Sequence, residues 1–209
     1  MGILIFAVLS FNLCFGFSAN INLSKNDRLV LASKKDGTIK VIENRKGQLR
    51  TTFESTASFG MSKGAKSMEG DYKTPVGVYF GTSFLTNDEL PEDFYGPMAV
   101  TLNYPNPIDI MAKRTGSGIW IHGSNDVTRV GQKAATEGCI ILENPDLLKL
   151  IKLIRLKQVP VIIADKATDI KVAISDAEST IIEAQDGFIK YRLRSGLEKS
   201  KDIVYEVIK

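Results

Sequence analysis

The chain has 209 residues, 27 Lys and Arg against 24 Asp and Glu, and a formal net charge of +3. That length holds one good hydrophobic core and a small appendage. The charge is modest and no basic cluster or basic–aromatic stripe stands out, so nucleic acid is excluded as an expected partner.

Residues Met1 to Ala19 carry no charged side chain, and small residues at Ser18 and Ala19 precede the polar run Asn20 to Arg28. This reads as a secretory signal peptide, residues 1–19, cut near Ala19. An uncleaved anchor is the alternative, although the apolar run barely reaches the ~20 residues that span a bilayer. With the signal removed, no membrane span is expected, and the mature chain belongs in the periplasm or cell envelope.

Arg28 to Ala32 and Thr38 to Glu43 are short β-type runs. Lys34-Lys35-Asp36-Gly37 joins them with hairpin turn chemistry. Gln48 to Ser58 supplies a third strand, Phe59 to Lys73 is a Gly-containing loop, and Val76 to Phe80 is a strand after Thr74-Pro75. Pro91 to Pro107 is a structured loop around a strand at Met98 to Leu102. Gly118 to His122 is a strand, and Ser124 to Ala135 is turn-like. The clearest helix starts with Asn144 as N-cap and Pro145 in the first turn. Leu147, Leu150, Ile151 and Ile154 follow at helical spacing. Val159 to Ala164 is an apolar strand. The mix is mainly β with few helices, and residues 166–209 form a charged accessory segment of unresolved type.

His122 is the single histidine, and Cys139 is the one cysteine of two outside the N-terminal apolar run. A thiol works as a nucleophile in its thiolate form, and imidazole is the usual base that produces it. The alternative is a buried structural Cys and an unrelated His. Export tips the balance, because an unpaired thiol in an oxidising compartment is a liability. Gly123 leaves room beside His122, and its carbonyl is placed to hold the imidazole tautomer. Gly138 permits a tight turn, and its amide with that of Cys139 is a candidate oxyanion site. Trp120 shares the strand face of His122 and is either cleft lining or core. One His and one mature Cys make no metal site, and no cofactor is expected.

Three segments resemble the YkuD-type L,D-transpeptidases. They are Gly70-Asp71-Tyr72-Lys73-Thr74-Pro75-Val76-Gly77-Val78-Tyr79, then Thr115-Gly116-Ser117-Gly118-Ile119-Trp120-Ile121-His122-Gly123, then Thr136-Glu137-Gly138-Cys139-Ile140. Thr136 stands where the family has Ser. The resemblance implies a β-sandwich-like catalytic domain over residues 28–165 with a short C-terminal extension, 166–209. It also implies that Cys139 attacks an L,D peptide bond of a peptidoglycan stem peptide, with His122 as base and the Gly123 carbonyl orienting it. Transfer to an amine makes an L,D-transpeptidase. Transfer to water makes an L,D-carboxypeptidase that trims tetrapeptide stems, and a silent peptidoglycan-binding domain is the third alternative. Glu137 replaces a family His and Ile141 replaces a family cation. Glu137 either disfavours the thiolate or points to solvent. Arg114, Arg129 and Lys133 are candidates for the missing cation, with a solvated surface charge as the alternative for each, and Arg129 is the one taken as a substrate-binding residue. Tyr104, in the segment Phe94 to Pro107, is a candidate lid residue, with loop scaffold as the alternative. Oligomeric state is left open.

Overall fold

Strands that are apolar on both faces form the middle of the molecule. In the computed structural model, which describes residues 17–90, 94–132, 135–184, 189–194 and 204–207, these are β2 (Arg28–Ser33), β5 (Gly77–Thr86) and β9 (Pro160–Ala164). Five more strands extend the sheet: β3 (Thr38–Arg45), β4 (Gln48–Thr56), β6 (Met98–Leu102), β7 (Trp120–His122) and β8 (Ile140–Ile141). The order across it is β4-β3-β2-β9-β5-β6-β7-β8. The β2–β3 pair is the antiparallel hairpin that Asp36-Gly37 announces, with Gly37 at φ +67°. β2 and β9 run parallel.

Side chains alternate across a strand, so β2, β5 and β9 each feed two cores. Val30, Ala32, Tyr79, Val161 and Ile163 face one side. There α2 (Asn144–Ile151) adds Leu147 and Leu150. Leu29, Leu31, Val78, Phe80, Ile162 and Ala164 face the other. A second sheet covers that second face. It contains β1 (Ala19–Ser24), β10 (Ile170–Ser175), β11 (Ser179–Ala184), β12 (Ile189–Arg194) and β13 (Val204–Val207), in the order β10-β1-β11-β12-β13. The result is a sandwich, mostly strand with few helices.

Residues 166–209 are therefore more than a loose extension. Their strands complete a layer together with β1, whose Ile21 and Leu23 are fully buried. Ala19, the residue at the expected cleavage point, opens β1 and pairs with Ile170 and Ala184. Residues 1–16 of the expected signal lie outside the described residues. No helix of the described residues is long and apolar enough to cross a membrane.

Two helical details differ from the sequence expectation. Asn144 is not the N-cap of α2: Glu143 occupies that position, and Asn144 is the first helical residue. The physical reason is that the Asn144 amide oxygen accepts a hydrogen bond from the Ser124 N–H at 2.9 Å instead of capping its own helix. A short helix, α1 (Pro107–Met111), also stands where only loop was expected. Asn106 caps it, accepting from the N–H groups of Ile108 and Asp109, while Asp109 accepts from the Asn106 N–H.

Phe80, 1% exposed, joins the two sheets through the second core. Its backbone bonds to Asn103 survive truncation. Phe80→Ala is expected to cost about 3–5 kcal/mol in urea unfolding. A loss below about 1 kcal/mol would mean that the sheets do not share a core.

Candidate functional site

The site is assembled at the thin end of the large sheet. β8 is two residues long and runs parallel to β7, with Ile121 opposite Ile140 and His122 opposite Ile141. Ile121 and Ile140 both enter the first core. His122 and Trp120, one residue to either side, therefore take the opposite face of β7. Ser58 pins β8 from its other side: its N–H donates to Ile141 O and its carbonyl accepts from the Ile141 N–H. The Leu142 N–H donates to His122 O at 3.0 Å.

The turn before β8 carries the thiol. Thr136 is buried, and its hydroxyl ties the turn together by donating to Cys139 O at 2.7 Å and accepting from the Gly138 N–H at 3.0 Å. Thr136 thus does what a Ser hydroxyl at this position can do. The Gly138 amide, expected to face a developing oxyanion, is spent on this bond. The contribution of Gly138 is steric instead. It lies at φ +136°, and a Cβ there would stand 2.9 Å from Lys73 O. The Cys139 Sγ donates to Gly118 O at 3.3 Å.

The segment Gly70 to Pro75 buttresses this turn from below. The Thr74 hydroxyl accepts from the Gly60 N–H, and Gly60 bridges to Thr136. Asp71 accepts from the Lys66 ammonium at 2.9 Å and from the N–H groups of Ser67, Met68 and Lys73. Burial works to raise the Asp71 carboxyl, but these donors overcome it and hold it well below the usual carboxylate range. Lys66 is 4% exposed, and its charge favours the Cys139 thiolate.

His122 is 2% exposed, with Nδ1 2.6 Å from Gly123 O. Burial pushes the imidazole down to about 4; the Gly123 hydrogen bond opposes this and Arg129 reinforces it. Burial pushes the Cys139 thiol up to about 11. A hydrogen bond from the Trp120 backbone, Arg129 and Lys66 oppose that rise, and Glu137 adds to it. At neutral pH the resting pair is a neutral thiol and a neutral imidazole.

Arg129 acts on both groups from the short turn Val127–Arg129 and is half-buried there. Arg114 is bound to Asp109 at 2.8 Å, away from the thiol. Lys133 lies outside the described residues. Glu137 is exposed, and its charge acts on the thiol. Ile141 is fully buried.

Tyr104 is placed in the core, not at the site. It is 5% exposed, packs against Tyr79 at 6.0 Å and donates to Thr115 O. The aromatic residue that does stand at the site is Tyr95, which the sequence did not single out. Its ring centroid is 4.7 Å from that of His122 and 5.2 Å from that of Trp120. Gly123 has a steric role besides its carbonyl: a Cβ there would overlap Asn144 Oδ1. Among the described residues, no group of three or more His, Cys, Asp or Glu is arranged to hold a metal ion.

The profile of the L,D-transpeptidase catalytic domain, YkuD, matches residues 27–163. The chain belongs to this family. YkuD domains make up a peptidoglycan-related enzyme family, and the match falls on the eight-stranded sheet and α2, while the strands of the second sheet lie outside the matched residues. Among solved structures the chain is similar to Bd1075 of Bdellovibrio bacteriovorus, at 32% identity over 68% of this chain and 49% of that one, with a TM-score of 0.56. It is also similar to the helical cell shape determining protein Pgp2 of Campylobacter jejuni, at 31% identity over 72% of this chain and 49% of that one, with a TM-score of 0.54. A single-substitution variant of Pgp2 aligns at 35% identity over 68% of this chain and 48% of that one, with a TM-score of 0.58. The chain spans about half the length of these relatives. Comparison with curated proteins found no match.

Two measurements test this geometry. Gly123→Ala and Asn144→Ala are each expected to destabilise the YkuD domain. Their double variant should lose less than the sum by about 1 kcal/mol, because the overlapping atom is gone; strict additivity would deny the contact. The second test is alkylation of Cys139 by iodoacetamide, read peptide by peptide in a mass spectrometer. A thiol raised by about two units has ~100-fold less thiolate below its pKa, while each thiolate is up to ~10-fold more nucleophilic. The net expectation at pH 7 is a rate roughly 10-fold below a free cysteine, still rising beyond pH 9. A plateau already reached at pH 7 would contradict a neutral resting thiol.

Proposed function

We propose that this protein is an L,D-transpeptidase of the cell envelope whose thiol, Cys139, carries the acyl group of a peptidoglycan stem peptide. The observation that carries this reading is the juxtaposition, within a YkuD domain, of an unpaired half-buried thiol and a buried histidine. Both lie at β7–β8 and both sense Arg129. Export to the periplasm or envelope follows from the substrate and from the apolar N-terminus.

The neutral resting pair sets the order of events. As Cys139 Sγ attacks the carbonyl carbon of the L,D peptide bond, its proton leaves Gly118 O and passes to the imidazole nitrogen that faces away from Gly123. The C–S bond forms while the carbonyl π pair moves to oxygen. The C–N bond then breaks, and the imidazolium returns its proton to the departing amine. In the second half an amine attacks the thioester and gives its proton to His122, the C–N bond forms as the C–S bond breaks, and the imidazolium returns the proton to the departing sulfur, restoring the neutral pair. Gly123 O keeps a single tautomer available throughout. Trp120 and Tyr95 line the approach, and Arg129 supplies positive charge for a substrate carboxylate.

A second reading puts water in the acceptor's place, making the protein an L,D-carboxypeptidase. It is favoured by the burial of Ile141 where a cation is usual, by the exposed Glu137 carboxylate near the thiol, and by similarity to a cell-shape-determining protein. Product analysis separates the two. Incubation with a disaccharide tetrapeptide should give cross-linked dimers if the acceptor is an amine, and tripeptide alone if it is water. Cys139→Ala should abolish either product, and turnover in that variant would overturn the thioester mechanism. Intact substrate under both conditions would leave a binding domain.

A further inference from the structure

Tyr95, which lines the approach, also has its ring against both His122 and Trp120. Its ring meets His122 edge-on at 4.7 Å and tilts against Trp120 at 5.2 Å. Its position is locked from behind by Gly96. That residue lies at φ +65°, where a Cβ would overlap Asn144 Oδ1 and approach Gly123 Cα and Ser124 N to 2.9 Å. The backbone that carries Tyr95 is thus seated on Gly123, whose carbonyl receives the His122 Nδ1 hydrogen bond. The ring and the carbonyl bracket the imidazole from two directions.

We propose that Tyr95 is the positioning residue of His122, its ring fixing the plane of the imidazole and sealing it from water. The proposal rests on His122 as the base of the reading above. It assigns the work to the ring and not to the phenol. Burial raises the phenol, with Cys139 and Glu137 adding to the rise and Arg129 opposing it, so Tyr95 stays a neutral apolar cover. Among the described residues, Gly123 O and the Arg129 charge act on His122, while the Cys139 thiol senses Arg129, Glu137 and Lys66. None of these is altered by trimming the ring, so a change in the titration of His122 reports its loss of cover.

His122 is the sole histidine of the chain, so its ring Cε1–H resonance is a single unambiguous NMR signal. The full chain, Tyr95→Phe and Tyr95→Ala are titrated from pH 3 to 8. The parent and Tyr95→Phe should titrate together, near 4. Tyr95→Ala should titrate higher by about one unit or more, toward the value of an exposed imidazole. An unchanged titration in Tyr95→Ala overturns the proposal. So does a shift in Tyr95→Phe as large as that in Tyr95→Ala, which would give the role to the hydroxyl. If Tyr95→Ala loses its dispersed amide spectrum, Tyr95→Thr, which keeps bulk at Cβ but no ring, is held to the same expectation. The titration reads the imidazole whether or not the chain transfers acyl groups, so failure here and failure of the functional reading are distinguishable.

Discussion

Everything at the candidate site depends on a parallel pairing only two residues long, Ile121–His122 against Ile140–Ile141. A strand of that length has no independent stability. It persists because its apolar pair, Ile121 and Ile140, is buried in the first core and because Ser58 binds both polar groups of Ile141. The pairing puts the Cys139 turn beside the end of the histidine strand. The segment Gly70 to Pro75 then acts as a floor, with Thr74 tied to Gly60, Gly60 bridged to Thr136, and Lys73 O in contact range of Gly138. Asp71 and Lys66 hold that floor in shape with a buried ion pair, where loss of either partner would leave an uncompensated charge.

The electrostatics of the site are those of a quiet thiol. Burial dominates both groups, lowering His122 and raising Cys139, and the cations Arg129 and Lys66 only moderate the second effect. Oxidation to sulfenic acid follows thiolate character and exposure, so a half-buried, protonated sulfur is protected where an activated thiolate would be consumed. In the proposed mechanism, activation must then accompany attack. Proton transfer to a weakly basic imidazole becomes favourable only as the sulfur commits its electron pair to carbon.

The central strands were legible because their signal is local. β2, β3, β5, β6 and β9 show period-two or continuous apolar runs between turn residues; the structure finds β2, β3, β6 and β9 within a few residues of the expected range, while β5 runs on six residues past the expected Phe80 to Thr86. β1 was hidden because Asn20 and Asn22 alternate with Ile21 and Leu23 in a run read as the polar exit of a signal. The strands of residues 166–209 were hidden because a half-exposed strand of charged and apolar residues matches no single template. At the site, the glycines and the two rare residues stood out by identity, whereas Tyr95 and Lys66 did not. Both sit in loops where aromatics and lysines are ordinary, and only the tertiary contacts distinguish Tyr95 from Tyr104, nine positions away and deep in the core.

Gly123 shows why such contacts escape a reading by local pattern. As a flexible residue after a strand it suggests room for a ligand. In the folded protein that room is already filled by the Asn144 side chain, which has left its capping position to bind the Ser124 N–H. A Cβ at Gly96 would overlap the same amide oxygen. Three segments far apart in sequence, the Tyr95 loop, the end of β7 and the start of α2, therefore meet at one small atom group, and two of them must lack a Cβ. The imidazole meets this joint twice, through its Nδ1 at the carbonyl of Gly123 and through its contact with the Tyr95 ring beside Gly96. The placement of the imidazole is therefore a property of the packing between elements and not of the histidine motif itself.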